Sequence, residues 1–355
     1  MKINKVAIAC QGGGSQTAFT AGVLKSIFTS GIQKKKKIVS FSGASGGALC
    51  AALLWYSLLR AAKGDKAAIT ERLCGFWRDN STQNLAEEIF NDSMIHSIRM
   101  AERGVFPTYQ SSPDSDVSKF MTAITEAMLP RKIFYDFKSL LEKHIDFSEI
   151  GQLVQADSPV LLVGAANVLT GQFKKFNSRK GEIQVEALLA SAAVPTLFPA
   201  VRIGQDAYWD GLFSDNPPTD ELLNPEIVGK QNLPDELWVI QINPKTCRKV
   251  PETPAEVMDR RNEMIGNASL FQDLRTIDLV NRFIKAGAFS DKFLEKHEIR
   301  PVDVYIITMS SELLENLDYS TKLNRDAAFI GGLMADGEIQ GGRFLAKPEI
   351  FRHSD

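Results

Sequence analysis

Twice before residue 60 the chain runs a short apolar stretch into glycines and then into a helical apolar pattern. Lys5 to Cys10 leads into Gly12-Gly13-Gly14, after which Phe19, Val23, Leu24, Ile27 and Phe28 fall on one helical face. Ile38 to Ser42 leads into Gly43-Ala44-Ser45-Gly46-Gly47, followed by the apolar run Ala48 to Leu59. A repeated strand, sharp turn and helix calls for parallel strands, because each helix carries the chain back across the sheet. The expected fold class is therefore α/β with a parallel sheet.

Residues 65–150 change character. Amphipathic helical patterns, broken by Pro107, Pro113 and Pro130, predict a helical insertion or cap beside the sheet, with a mobile loop near 107–118. Strand patterns return at Val160–Gly164, Leu237–Ile242 and Val302–Thr308, with shorter strands or a hairpin at Phe173–Asn177 and Val201–Trp209. A long helical stretch runs from about Pro254 to Lys296. Glycines at 337, 341 and 342 with little periodicity predict a loose tail over 336–355, leaving one domain over 1–335.

The 355 residues are 44% hydrophobic and 24% charged, enough for a large core without a disulfide or structural metal. A net charge of −2 lacks the basic excess of a nucleic-acid binder. Cys10, Cys50, Cys74 and Cys247 form no CxxC pair and read as buried free thiols of a reducing, cytoplasmic compartment. The first residues lack the pattern of a secretory signal, and no run of eighteen apolar residues is present. Lipid, if it is the substrate, is met from the aqueous side. The lysines at 34–37 read as a solvated loop, although anionic head groups would also suit them.

Gly43-x-Ser45-x-Gly47 has the form of a nucleophile elbow, in which flanking glycines let the backbone reverse while the serine is held out. The pattern alone arises by chance in about one chain in ten of this size. The apolar strand before it and the apolar helix after it are what give it weight. An acyl-transfer serine also needs donors for its oxyanion. Gly12, Gly13 and Gly14 supply side-chain-free amides at the end of the first strand, on the same rim as Ser45. A dinucleotide or Walker phosphate loop fits less well, because Thr17 stands where the third glycine belongs and no Gly-Lys-Ser/Thr follows.

A base for Ser45 is less obvious. Neither His96, His144, His297 nor His353 lies in a glycine turn, and the charged surroundings of His144 and His297 predict exposure. Asp210 follows Tyr208-Trp209 and precedes Gly211 at a strand end, where desolvation beside aromatic rings would raise its pKa and strengthen it as a base. A plain Asp-Gly hairpin turn is the competing reading.

Three blocks together resemble the patatin-like phospholipase family. They are Gly12-Gly13-Gly14-Ser15-Gln16 with Gly22-Val23-Leu24, then Ser42-Gly43-Ala44-Ser45-Gly46-Gly47, then Ala190 to Pro195 with Tyr208-Trp209-Asp210-Gly211 and Asn216-Pro217-Pro218. The stretch around Asp259-Arg260-Arg261-Asn262-Glu263 is also similar to bacterial members. The resemblance implies a three-layer α/β/α fold with a mainly parallel sheet and a Ser–Asp dyad without histidine. It makes Ser45 the nucleophile, Asp210 the base and the turn at Gly12–Gly14 the oxyanion hole. This chain has Gln16 where the family usually has Arg or Lys, Thr17 where it has glycine, and Leu212 where it often has Gly or Ala. Gln16 remains a neutral donor that would contact substrate.

The function so implied is hydrolysis of a phospholipid or other lipid ester through an acyl-serine, with no cofactor or metal and with peripheral contact at a membrane surface. Two rivals stand beside it. One is an α/β-hydrolase triad of Ser45, Asp210 and His297, although that fold places its nucleophile later in the chain. The other is a catalytically weak or inactive lipid-binding or scaffold protein on the same fold.

Overall fold

Alternation along strand β1 (Lys5–Cys10) sorts the molecule into layers. Val6, Ile8 and Cys10 join one apolar core with α1 (Ala18–Thr29) and α2 (Ser45–Ala62). Ala7 and Ala9 join a second core with Leu270, Leu274 and Ile277 of the long helix Pro254–Lys285. Successive side chains of a strand point to opposite faces, so a strand buried on both sides needs helices on both. The computed structural model, which describes residues 3–102, 112–113, 115–195, 197–247 and 250–353, thus has the expected three-layer arrangement.

The remaining strands are β2 (Lys37–Ala44), β3 (Val160–Asn167), β4 (Phe173–Asn177), β5 (Val201–Ile203), β6 (Asp206–Asp210), β7 (Glu236–Gln241) and β8 (Asp303–Thr308). Their order is β5-β6-β3-β2-β1-β7-β8, with β4 also paired to β3. The run from β3 to β8 is parallel, whereas β4, β5 and β6 pair antiparallel.

One joint in this sheet positions the site. Both β4 and β6 pair with Ala165 and Ala166, so they must occupy opposite edges of β3. Leu162 to Gly164 pair with both β4 and β2, so β2 lies on the same edge as β6. β2 ends with Ala44 opposite Gly164, and β6 takes over with Asp210 opposite Ala165. The vacancy that β6 fills exists because the chain leaves the sheet at Ser45 to enter α2.

Between β2 and β3 the described residues form helices and no strand, including Glu71–Asn80, Leu85–Glu102, Asp116–Met128 and Phe137–His144. Most of the loop expected near 107–118 lies outside the described residues. Within that span, Ser115 caps the helix Asp116–Met128 by accepting the Ser118 amide proton. Arg325 ties this helical region to the C-terminal segment. Its guanidinium donates to the carbonyls of Asn80 (2.7 Å) and Phe134 (2.6 Å) and lies 3.8 Å from the centre of the Phe134 ring.

The tail expected to be loose is largely helical. Ala327–Ala346 forms a helix against α1, and the glycines that suggested a loop include points of closest contact. A Cβ on Gly337 would stand 2.2 Å from the Phe19 carbonyl oxygen, and one on Gly22 2.0 Å from that of Met334. Phe344 of this helix is buried against Trp238, with ring centres 4.9 Å apart. The long helical stretch also ends sooner than expected. It breaks after Lys285 and resumes as the short helix Asp291–His297. Cys10 and Cys50 are buried free thiols as expected, the latter pushed up to about 12 chiefly by desolvation, but Cys74 is half-buried and Cys247 exposed. Among the described residues no helix is long and apolar enough to cross a membrane.

Candidate active site

Ser45 takes φ of 51°, in the left-handed region that side chains avoid, at the point where β2 becomes α2. Such a residue costs roughly 1–2 kcal/mol and persists only where its surroundings fix it. Its amide donates to the Ser191 hydroxyl oxygen at 3.0 Å, and that hydroxyl donates to the Gly164 carbonyl at 2.6 Å. The turn after β1 closes over it. A Cβ on Gly12 would lie 2.8 Å from that of Ser45 and 2.7 Å from the Ala44 carbonyl oxygen, so only glycine fits. Gly43 and Gly47 flank the serine where side chains would strike neighbouring backbone.

Asp210 is fully buried beside it, at the joint on β3. Its Oδ1 accepts the Leu212 amide proton at 2.7 Å, while Oδ2 has no hydrogen-bond partner of ordinary geometry. Burial pushes its pKa up to about 7, against the opposing pull of the Leu212 amide and the Ser45 hydroxyl. The exposed Trp209 alternates to the other face of β6, so the sheet joint itself does more to exclude water than that ring.

The glycine turn Gly12–Gly14 offers fewer free amides than the three the sequence suggests. The Gly12 amide is committed to Asn216 Oδ1 at 2.7 Å and is not available to a substrate. The amides of Gly13 and Gly14 make no hydrogen bond to any described residue. Gln16 is buried and turned inward. Its Nε2 donates to Thr321 Oγ1 (2.9 Å) and the Asp318 carbonyl (3.3 Å), so the expected substrate contact becomes a brace for the turn. Thr17 donates to the Gly14 carbonyl at 2.6 Å and steadies the same loop.

No histidine reaches either residue among the described contacts. His297 is exposed and lies on Phe293, and His96 is exposed. His144, expected to be exposed, is instead mostly buried, packed on Phe76 and bonded to Asp79 at 2.9 Å. A cavity of about 930 Å³ opens beyond the glycine turn, between Asn243, Arg260, Glu263 and Met309, without including Ser45 or Asp210. No group of three or more potential ligating side chains suited to a metal occurs among the described residues.

The family model of patatin-like phospholipases matches residues 8–223. The chain belongs to the patatin-like phospholipase family. Members of this family are lipid acyl hydrolases. Among solved structures the chain is similar to VipD from Legionella pneumophila, at 13% identity and a TM-score of 0.41, over 98% of this chain and 67% of that one. It is also similar to a chain of the ExoU–SpcU complex from the type III secretion system of Pseudomonas aeruginosa, at 14% identity and a TM-score of 0.35. That likeness takes in 99% of this chain but 52% of the other, so this patatin-like chain spans about half its length. No curated protein matches the chain.

The patatin-like region contains Ser45, Asp210 and the whole turn Gly12–Gly14, while the long helix Pro254–Lys285 lies beyond it. Three polar residues that support the site carry no role in the sequence reading. Ser191 and Asn216 hold the elbow and the turn as described. Gln11 is fully buried at the end of β1. Its Oε1 accepts the amide protons of Ile242 (2.9 Å) and Asn243 (2.8 Å), and its Nε2 donates to Asn267 Oδ1 (2.9 Å). A glutamine directly after an apolar strand and before three glycines was the available signal, since a buried polar side chain must find partners.

Proposed function

We propose that this chain hydrolyses the acyl ester of a phospholipid or related lipid through a Ser45–Asp210 dyad. Asp210 takes the hydroxyl proton as Ser45 Oγ attacks the acyl carbon, and the amides of Gly13 and Gly14 donate to the oxyanion. The ester C–O bond breaks, Asp210 returns its proton to the departing alcohol or lysolipid, and an acyl-serine remains. Asp210 then takes a proton from water, whose oxygen attacks the acyl-serine; the C–Oγ bond breaks, Asp210 returns that proton to Ser45 Oγ, and the fatty acid leaves.

The observation that carries this reading is the pairing of a serine in a left-handed elbow with a fully buried carboxylate, whose pKa burial pushes up to about 7 and on which the Ser45 hydroxyl acts. A base poised near the operating pH is what proton transfer favours. The test is fatty-acid release from a soluble short-chain ester and from phospholipid vesicles, with Ser45→Ala alongside and a serine-directed fluorophosphonate as label. Release and labelling by the wild type, both lost in Ser45→Ala, are expected. Undiminished release by Ser45→Ala overturns the dyad.

A further inference from the structure

The long helix Pro254–Lys285 divides its charges by face. All five of its carboxylates are engaged. Glu256 closes the N-terminal capping box, Asp259 pairs with Lys322 (2.7 Å), and Glu263 pairs with Arg260 (2.9 Å). Asp273 accepts from the Thr219 hydroxyl, and Asp278 meets His353 at 3.0 Å. Leu270, Leu274 and Ile277 fill the core on the inner side. At 100° per residue the outer side carries Val257, Met264, Ile265, Leu279 and Phe283, each 41–60% exposed, and no carboxylate. Between them stand Arg261, Arg275 and Arg282, all exposed and none in an ion pair among the described residues.

An apolar stripe studded with unpaired arginines suits one environment in particular. Apolar side chains enter the boundary of the acyl chains while the guanidinium groups, on flexible stems, reach lipid phosphates. We propose that the outer face of this helix docks on an anionic phospholipid surface. The choice of lipid over protein rests on the lipid-hydrolase reading above. The inner face of the helix already touches the site. A Cβ on Gly266 would lie 2.7 Å from Leu212, whose amide holds Asp210, and Asn267 bonds to Gln11. A bilayer on the outer face thus lies across this one helix from the residues that hold Asp210. The lysine run at 34–37 is a poorer anchor, since Lys36 is already paired with Glu236.

The test is co-sedimentation of the Ser45→Ala chain with vesicles of phosphatidylcholine and phosphatidylglycerol, and with vesicles of phosphatidylcholine alone. Using this variant separates docking from turnover, so the two readings fail independently. Binding to the mixed vesicles well above that to the neutral ones is expected. Each arginine contributes roughly fivefold near an anionic surface, so replacing Arg261, Arg275 and Arg282 together by Gln lowers the affinity roughly a hundredfold. Met264→Asn with Ile265→Asn lowers it as well, whereas Phe120→Asn, at an exposed apolar position on the helix Asp116–Met128, leaves it unchanged. Binding that is equal for both vesicle types, or untouched by the arginine replacements, overturns the proposal. So does no binding to either, the result expected if the face instead receives an acidic protein.

Discussion

Ser45 pays for its left-handed backbone with a cost of roughly 1 kcal/mol that glycine would not bear. Ser45→Gly is therefore expected to melt above Ser45→Ala, by about 1 kcal/mol in paired denaturant titrations, with both variants losing at least about a thousandfold in turnover. Asp210 makes a second trade. Its folded pKa of about 7 lies above the ordinary carboxylate value of 3.8, so the folded state holds a proton that the unfolded state has released between those pH values. The contribution to stability falls as pH rises from about 4 to about 7 and stays low above that. Turnover is expected to have the opposite dependence, rising through about pH 7 as Asp210, the proposed base, loses its proton. Asp210→Asn keeps an acceptor for the Leu212 amide, so it is expected to abolish turnover and to raise stability at neutral pH by up to about 4 kcal/mol. A variant less stable at pH 8 than the wild type contradicts this account. Ser45 and Asp210 were legible because glycines and a strand end mark them locally. The inward turn of Gln16 and the engagement of the Gly12 amide were not, because Thr321 and Asn216 come from distant parts of the chain.

At the scale of elements, the parallel strands and the first two helices follow from apolar periodicity that needs no distant partner to be read. The C-terminal helix does not. Its glycines weaken the pattern of an isolated helix, yet against α1 they permit backbone contact that a larger residue forbids. Propensity and packing thus point in opposite directions, and packing wins. Gly337→Leu is expected to force the two helices apart and cost 3 kcal/mol or so in stability, measured by thermal or denaturant unfolding. The same replacement at Gly331, where an added Cβ meets nothing within 4 Å, stays within about 0.5 kcal/mol of neutral or stabilises.

Across the whole molecule, Arg325 is one of several residues that join the helical region before β3 to the C-terminal segment, alongside the bonds of Asn91 to Asn324 and of Arg99 to Ser320. Burial holds the Arg325 pKa down to about 9, yet both of its carbonyl partners belong to the other region. Arg325→Ala leaves those carbonyls without their donor and is expected to cost about 3 kcal/mol in global unfolding. An unchanged melting temperature in that variant shows that the two regions are held elsewhere. The shared edge of β3 has a further consequence, for the order in which the protein is made. Ser45 leaves the ribosome long before Asp210, and no local sequence joins them. Until β6 is synthesised and seats itself beyond the end of β2, the nascent chain carries the proposed nucleophile without its proposed base. On the proposed dyad, a chain whose synthesis stops between Ser191 and Asp206 is expected to be inactive although β1, β2 and β3 are present. If Ser45 and Asp210 act as proposed, assembly of the sheet is the safety catch on the chemistry.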